Sequence, residues 1–422
     1  MPQMDGNSDN FAAGKVILAL NKNICRGVNH IRQILYDLDV EKTEVIFRPK
    51  WVSNNSDIGE IVLVCLKNKD KTAVIDAVEK LSASPYVVYA EPDYLAELLR
   101  IPNDPYFDRL WGMENIKAPL AWNYTTGSAN VTVGIADTGI DHNHPDIRRN
   151  MWTPRCGSNI HGWNFVEDND DTVDTHLHGT AMAGIAGAVG NNCIGIVGVC
   201  WNVRVAALRI GGIGNNIIDN SAAIKSIDFA NRHNIPILSN SWGSRDYSPC
   251  LKFAIEQYDG LFVAASGNDG KDNDASPFYP ASYDIDSIIT VAASDSYNNL
   301  AWFSNYGEKS VDIAAPGTNV LSLNLAGEYT SYGGGTSLSA PHVAGAAALL
   351  KSYKPSLTAL QIKSIMLSGA EKHPGLSGKV LSGGILNVNA MFETLKKELE
   401  SHWRKIALLG VKLLILNEMG CL

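Results

Sequence analysis

Over residues 14–95 the apolar positions change period several times. Lys15-Val16-Ile17-Leu18-Ala19-Leu20 reads as a strand, and Val28 to Leu38 has helical spacing. Thr43 to Phe47 and Gly59 to Leu66 read as two further strands. Lys71 to Leu81 puts Ala73, Val74, Ala77, Val78 and Leu81 on one helical face, and Tyr86 to Tyr89 is a last strand. The order β-α-β-β-α-β predicts a small α+β, ferredoxin-like domain. Residues 96–104 follow as a polar link, with Pro102 inside it and Pro105 just beyond.

From about 110 to 395 the pattern is different. Short, wholly apolar runs at Val131–Ala136, Val203–Ile210, Ile235–Asn240, Leu261–Ser266 and Ile288–Ala293 alternate with small-residue helical stretches at His178–Gly187 and Ile217–His233. Runs apolar on both faces are the mark of a buried parallel strand, so this part is expected to be an open, mostly parallel α/β sheet flanked by helices. A glycine-rich approach, Gly333-Gly334-Gly335, leads into Thr336 and Ser337, and Val343 to Leu350 then continues as a helix that Pro355 stops. A helix start of this kind points a hydroxyl outward over free backbone amides. The stretch 396–422 carries a helical pattern and reads as a docked amphipathic tail, too short and interrupted for a membrane span.

Composition narrows the function classes. The 422 residues are 45% hydrophobic and 19% charged, as for a folded protein of two or three domains. A net charge of -9 with no basic block argues against nucleic acid as a partner. Seven cysteines without C-x-x-C spacing fit neither a zinc site nor a dense disulfide framework. Residues 1–13 form a polar leader without the apolar segment of a signal peptide. A monomer is expected.

In open α/β sheets the chemistry gathers at the carboxyl ends of the strands. Here those ends read Asp137-Thr138-Gly139, Asn240-Ser241-Trp242-Gly243 and Gly267-Asn268-Asp269-Gly270, and two helix starts join them, His178-Gly179-Thr180 and Thr336-Ser337. Singly, each is ordinary: a turn aspartate, a surface histidine, a helix cap. His142, His144, His176 and His178 lack the H-E-x-x-H spacing of a zinc helix. Asp137-Thr138-Gly139 has no second copy with which to share a proton, which excludes the aspartic-protease reading. The order Asp, His, Ser, about 40 and then about 160 residues apart, is one of the three known orders of the serine-protease triad.

Asp137-Thr138-Gly139-Ile140-Asp141, His178-Gly179-Thr180 and Gly335-Thr336-Ser337-Leu338-Ser339-Ala340-Pro341-His342 resemble the three signatures of the subtilisin-like serine proteases. Ser266-Gly267-Asn268-Asp269-Gly270 resembles that family's oxyanion segment, and the likeness runs from about 102 to 395. It implies an endopeptidase in which Ser337 is the nucleophile, His178 its base and Asp137 the group that orients and stabilises the imidazole. The Asn268 side-chain amide, with the Ser337 N–H, would bind the oxyanion. By the same resemblance Ser241, Trp242 and Gly243 pair with an extended peptide substrate, and Ala265, Ser266 and Gly267 form a wall of the pocket beside the scissile bond. No acidic cluster marks these segments, so a broad, apolar-leaning preference is expected.

Residues 14–95, ending in Tyr89-Ala90-Glu91-Pro92-Asp93-Tyr94, resemble the family's inhibitory propeptide, which implies a self-processing zymogen cut within 96–104 ahead of a catalytic domain at 105–395. The resemblance also implies structural calcium, held by Asp104, Val189, Asn192, Ile194 and Ile196, with Asn164 standing where thermitase-like relatives have an aspartate. The sequence departs from the family at His176, Leu177 and Ala181, and no catalytic atom is lost. A propeptide implies a secreted enzyme and the leader an intracellular one; secretion is the expectation, with a cytoplasmic enzyme or an acyl-transferring one as the alternatives.

Overall fold

The computed structural model describes residues 11–24, 31–49, 57–95, 100–154, 158–212 and 217–400. The chain divides into two compact units, Met1–Glu97 and Leu98–Leu422.

The first unit contains β1 (Phe11–Asn21), α1 (Arg32–Asp37), β2 (Val40–Phe47), β3 (Ile58–Leu66), α2 (Lys71–Ser82) and β4 (Val87–Tyr94). Its antiparallel sheet has the order β2-β3-β1-β4. Val16, Leu18 and Leu20 of β1 join Val62, Val64 and Leu66 of β3 on the face covered by Val74, Ala77, Val78 and Leu81 of α2. The period-two and period-3.6 patterns meet in one core, as the sequence predicts. The first strand starts at Phe11, three residues inside what reads as a polar leader, because Phe11 packs edge-on against Tyr94. The predicted helix from Val28 begins, among the described residues, at Arg32.

The second unit opens with α3 (Trp111–Asn115) and α4 (Ala118–Ala121). It continues through β5 (Gly127–Asp137), β6 (Gly162–Asn164), α5 (His178–Gly187), β7 (Asn202–Arg209), α6 (Asn220–Arg232), β8 (Ile237–Asn240), α7 (Pro249–Glu256), β9 (Leu261–Ala265) and β10 (Ile288–Ser294). The remainder is β11 (Ile313–Pro316), the hairpin β12 (Thr318–Leu323) and β13 (Tyr329–Gly334), α8 (Thr336–Tyr353), α9 (Ala359–Ser368), β14 (Glu371–Lys372) and β15 (Gly384–Ile385). Among the described residues nine strands form one sheet, β14-β15-β11-β10-β9-β8-β5-β7-β6, parallel apart from the β14–β15 pair. Residues 388–400 are helical. The predicted tail falls mostly on 401–422, outside the described residues.

Both faces of this sheet are covered, which explains the wholly apolar strands. Val131, Val133 and Ile135 of β5, with Leu261, Val263 and Ala265 of β9, face α5 and α8. Ala136 of β5, with Phe262 and Ala264 of β9, faces α6 and α7. The α8 run Val343–Leu350 is buried all round, so it shows no amphipathic stripe. Each fully buried Leu or Val there contributes about 1.5–3 kcal/mol. Gly345 lets α8 approach α5 closely: a Cβ in its place would stand 2.8 Å from the Ala186 carbonyl oxygen.

β5 lies between β7 and β8, so the winding direction reverses there. A reversal leaves an open crevice at the strand's carboxyl end, where Asp137 stands. The sequence pattern expects a helix from Ile217, but α6 starts at Asn220. Ile218 is held in a bridge to Gly211, and Ile217 and Ile218 line the crevice instead.

Among the described residues no helix is long and apolar enough to cross a membrane.

Candidate active site

Asp137, the last residue of β5, is buried, and its Oδ1 accepts the Thr138 N–H at 2.8 Å and a bond from His178 Nδ1, also at 2.8 Å. His178 is the first residue of α5, 41 positions on. The bond to Asp137 puts a proton on Nδ1 and leaves Nε2 as the basic nitrogen. Burial alone disfavours the imidazolium, but the charge and hydrogen bond of Asp137, with the charge of Asp174, outweigh it. The net effect holds the His178 pKa above the ordinary histidine value.

Ser337, half-buried, is the second residue of α8. Its hydroxyl donates to the Ser241 carbonyl at 3.3 Å, and the Ser241 hydroxyl donates to the Ser337 carbonyl at 3.0 Å. The start of α8 is thereby pinned to the segment following β8. Asn268 lies in the loop after β9. Its Oδ1 accepts both the Thr336 N–H at 2.8 Å and the Thr336 hydroxyl at 3.0 Å. With the oxygen so used, the amide nitrogen must face outward. A Cβ built on Gly335 would stand 3.8 Å from both Asn268 Nδ2 and the Ser337 backbone nitrogen, so the two donors border the same open space.

A cleft of about 440 Å³ opens beside Asp137 and His178, lined also by Ile217, Trp242, Asp246 and Tyr279. Of the segments read from the sequence as substrate-binding, Ser241, Trp242 and Gly243 line this cleft. Ala265, Ser266 and Gly267 are buried and lie outside its lining. Asp246, Ile217 and Ile218 carry no motif, and only the folded chain places them in the cleft.

Elsewhere, two buried carboxylates meet. Asp104 accepts the Asn191 N–H at 2.7 Å. Asp146 accepts the Asn192 side-chain amide and the Ile196 N–H, both at 2.8 Å, and the Tyr329 hydroxyl at 3.2 Å. Burial, opposed by these hydrogen bonds and reinforced by the Asp104 charge, pushes the Asp146 pKa up to about 6. Among the described residues no cationic side chain relieves either carboxylate. Two buried acids in need of positive charge suit a hard divalent cation. No cluster of three or more acidic, histidine or cysteine side chains exists among the described residues, so backbone and amide oxygens would have to complete its shell. Asp104, Asn192 and Ile196 come together here, and the Val189 N–H bonds the Asp146 carbonyl. Ile194 follows in the same loop, its N–H donating to the Asn192 side-chain oxygen at 2.9 Å. Asp146 is absent from the sequence reading, since nothing around it marks it as more than a turn acid.

The Ser337 hydroxyl bonds the carbonyl of Ser241, which lines the same cleft as His178. An imidazole base that reached such a hydroxyl could activate it, and the Asn268 and Ser337 N–H donors could stabilise an oxyanion. The rate at which a serine-directed fluorophosphonate reacts should rise with pH along a single titration. Its midpoint should lie above the ordinary histidine value of about 6.5. A midpoint below that value would contradict the account of His178.

Residues 128–387 match the subtilase family (Peptidase S8). The chain is 35% identical over 327 residues to the thermophilic serine proteinase of Bacillus sp. (strain AK1), an alignment covering 76% of this chain and 77% of the relative. It is 36% identical over 284 residues to thermitase of Thermoactinomyces vulgaris, covering 65% and 93%. A solved protease structure from Pseudoalteromonas arctica PAMC 21717 superposes with a TM-score of 0.59 at 28% identity, covering 69% of this chain and 98% of that one. The chain is a subtilase, a serine endopeptidase of the subtilisin-like family.

Proposed function

We propose that Ser337, His178 and Asp137 carry out peptide-bond hydrolysis through an acyl-enzyme, and that the chain is made as a self-processing zymogen. The observation that carries the first part is the 2.8 Å bond between Asp137 and His178, in a cleft whose Ser241 is bonded to the Ser337 hydroxyl, with the Asn268 and Ser337 N–H donors bordering one open space. His178 Nε2 takes the Ser337 hydroxyl proton as Oγ attacks the scissile carbonyl, and returns it to the leaving amine. Asp137 stabilises the imidazolium formed between those steps. Asn268 Nδ2 and the Ser337 N–H receive the oxyanion; losing one such donor costs about 3–4 kcal/mol, a magnitude whose worked example is itself a subtilisin. Water then repeats the cycle on the acyl-enzyme.

The zymogen reading rests on a separately folded unit of four antiparallel strands ahead of the catalytic sheet. Residues 14–95 would block the cleft until a cut within 96–104 frees the catalytic domain. An enzyme held inactive in this way suits release from the cell, which is where we place its action. Intact-mass measurement tests the self-cleavage: Ser337→Ala should accumulate at full length while wild type loses its first ~95–104 residues. Equal processing of both would rule out self-cleavage.

Ile217, Ile218, Trp242, Leu251 and Tyr279 give the cleft an apolar part, beside polar groups that include Asp246 as its acidic side chain apart from Asp137. This supports broad, apolar-leaning cleavage of peptides and proteins. A peptide-library profile should show aliphatic and aromatic residues spread over the positions preceding the cut; a profile confined to dibasic sites would overturn it.

The pairing of Asp104 with Asp146 supports structural calcium, with Asn192 and backbone oxygens of the 189–196 loop as further ligands. The ion would neutralise the two acids and tie that loop to the start of the unit. Chelation with EGTA should lower Tm by several degrees, and added calcium should restore it; an unchanged Tm would exclude the site.

A further inference from the structure

Asp174, in the loop before α5, is nearly fully buried, and no cation pairs with it among the described residues. Its two oxygens instead accept five hydrogen bonds. Oδ1 takes the Thr138 hydroxyl at 2.9 Å, the His176 N–H at 2.8 Å and the Leu177 N–H at 3.1 Å. Oδ2 takes the Thr180 N–H at 2.9 Å and the Thr180 hydroxyl at 2.7 Å.

The two hydroxyls extend this order by one step. Because Thr138 donates to Asp174, its oxygen is free to accept, and it accepts the Gly179 N–H at 2.9 Å. Because Thr180 also donates to Asp174, its oxygen accepts the Asp141 N–H at 2.9 Å. One acceptor-only carboxylate thus fixes the direction of both hydroxyls. Each hydroxyl then bridges the 137–141 segment to the 174–180 segment.

These are the segments that carry Asp137 and His178. They touch closely: a Cβ on Gly179 would stand 2.1 Å from the Gly139 carbonyl oxygen and 3.1 Å from Asp137 Cβ. Leu177, the residue before His178, stands at φ +76°, a left-handed conformation that a branched side chain disfavours. The Asp174 bond to the Leu177 N–H holds the chain in that turn, from which His178 starts the helix. The charge of Asp174 also favours the imidazolium of His178.

We propose that Asp174 is a positioning residue for this protease, the shared anchor that holds Asp137 and His178 at bonding distance and adds a second negative charge behind the imidazolium. The proposal rests on the reading of Asp137, His178 and Ser337 as the catalytic set. The charged and titratable groups facing His178 are Asp137 and Asp174, with His176 beside it in the same cleft.

The test is Asp174→Asn in the full-length chain, with rates normalised to active sites titrated by a fluorophosphonate. Asparagine keeps the size but removes the charge. Its amide nitrogen would face two donors at Thr180, forcing the hydroxyl hydrogen to turn away from residue 174 and disturbing the bond its oxygen accepts from the Asp141 N–H. We expect kcat to fall about 10- to 100-fold with KM changed less than about threefold. The acidic limb of kcat/KM should move to lower pH, because the imidazolium loses a favourable charge. On a His178→Ala background, which takes no label and whose residual rate is normalised to folded protein instead, the same substitution should have no further effect, since Asp174 acts through His178.

A Tm loss with unchanged kcat per titrated site and an unshifted acidic limb would overturn the proposal, as would full additivity with His178→Ala. If Asp174→Asn does not fold, the comparison moves to Thr180→Val and Thr180→Ser. Valine should lower kcat about tenfold and serine should restore it; equal rates in the two would overturn the proposal. Failure of the catalytic reading itself is separate, and shows as undiminished activity in Ser337→Ala.

Discussion

The bond from His178 Nδ1 to Asp137 Oδ1 is the constraint on which the rest of the site depends. It joins the end of a buried strand to the start of a buried helix across 41 residues. A hydrogen bond of this kind contributes little to net stability, because water offers the same partners to the unfolded chain. Its value is directional. It fixes which imidazole nitrogen carries a proton, and the remaining nitrogen becomes a base only at the place where the bond holds the ring.

The architecture supplies that place. β5 stands at the point where the winding of the sheet reverses, so its carboxyl end opens onto a crevice and not onto a covering helix. β8 and β9 run parallel beside it and deliver Ser241 and Asn268 to the same edge. α8, buried on all sides, brings Ser337 to that edge from beneath the sheet. Its first turn is tied on one side to Ser241 and on the other, through Thr336, to Asn268. The polar site is therefore held by an apolar scaffold that has little freedom to move.

The parts of this protein legible in its sequence are those written in short, contiguous patterns. Apolar runs at Leu261–Ser266 and Ile288–Ala293 read as strands because both faces of the sheet are buried, each within one residue of the strand the fold forms, and His178–Gly187 reads as a helix with the bounds the fold gives it. The start of the 217–233 helix did not read through, because Ile217 and Ile218 are apolar for the sake of the cleft and not of a helix face. Asp146 and Asp174 stayed invisible for a related reason. Each is a single acid in a loop, where turn formation explains it well enough. Its importance lies in donors that converge from positions far along the chain or from backbone N–H groups, which no side-chain pattern records. Asn268 stands out only through the resemblance of Ser266–Gly270 to the family's oxyanion segment, and the outward aim of its amide depends on Thr336, 68 residues away.

The central claim is that the reactivity of this chain resides in Ser337 and depends on its distant partners. It is tested most directly by labelling the processed enzyme with a fluorophosphonate and locating the adduct by tandem mass spectrometry. The account predicts one adduct per molecule, on Ser337, growing in proportion to the loss of peptidase activity and absent when His178 is replaced by alanine. Inactivation with the adduct on any other residue, or labelling of Ser337 undiminished by that replacement, would contradict it.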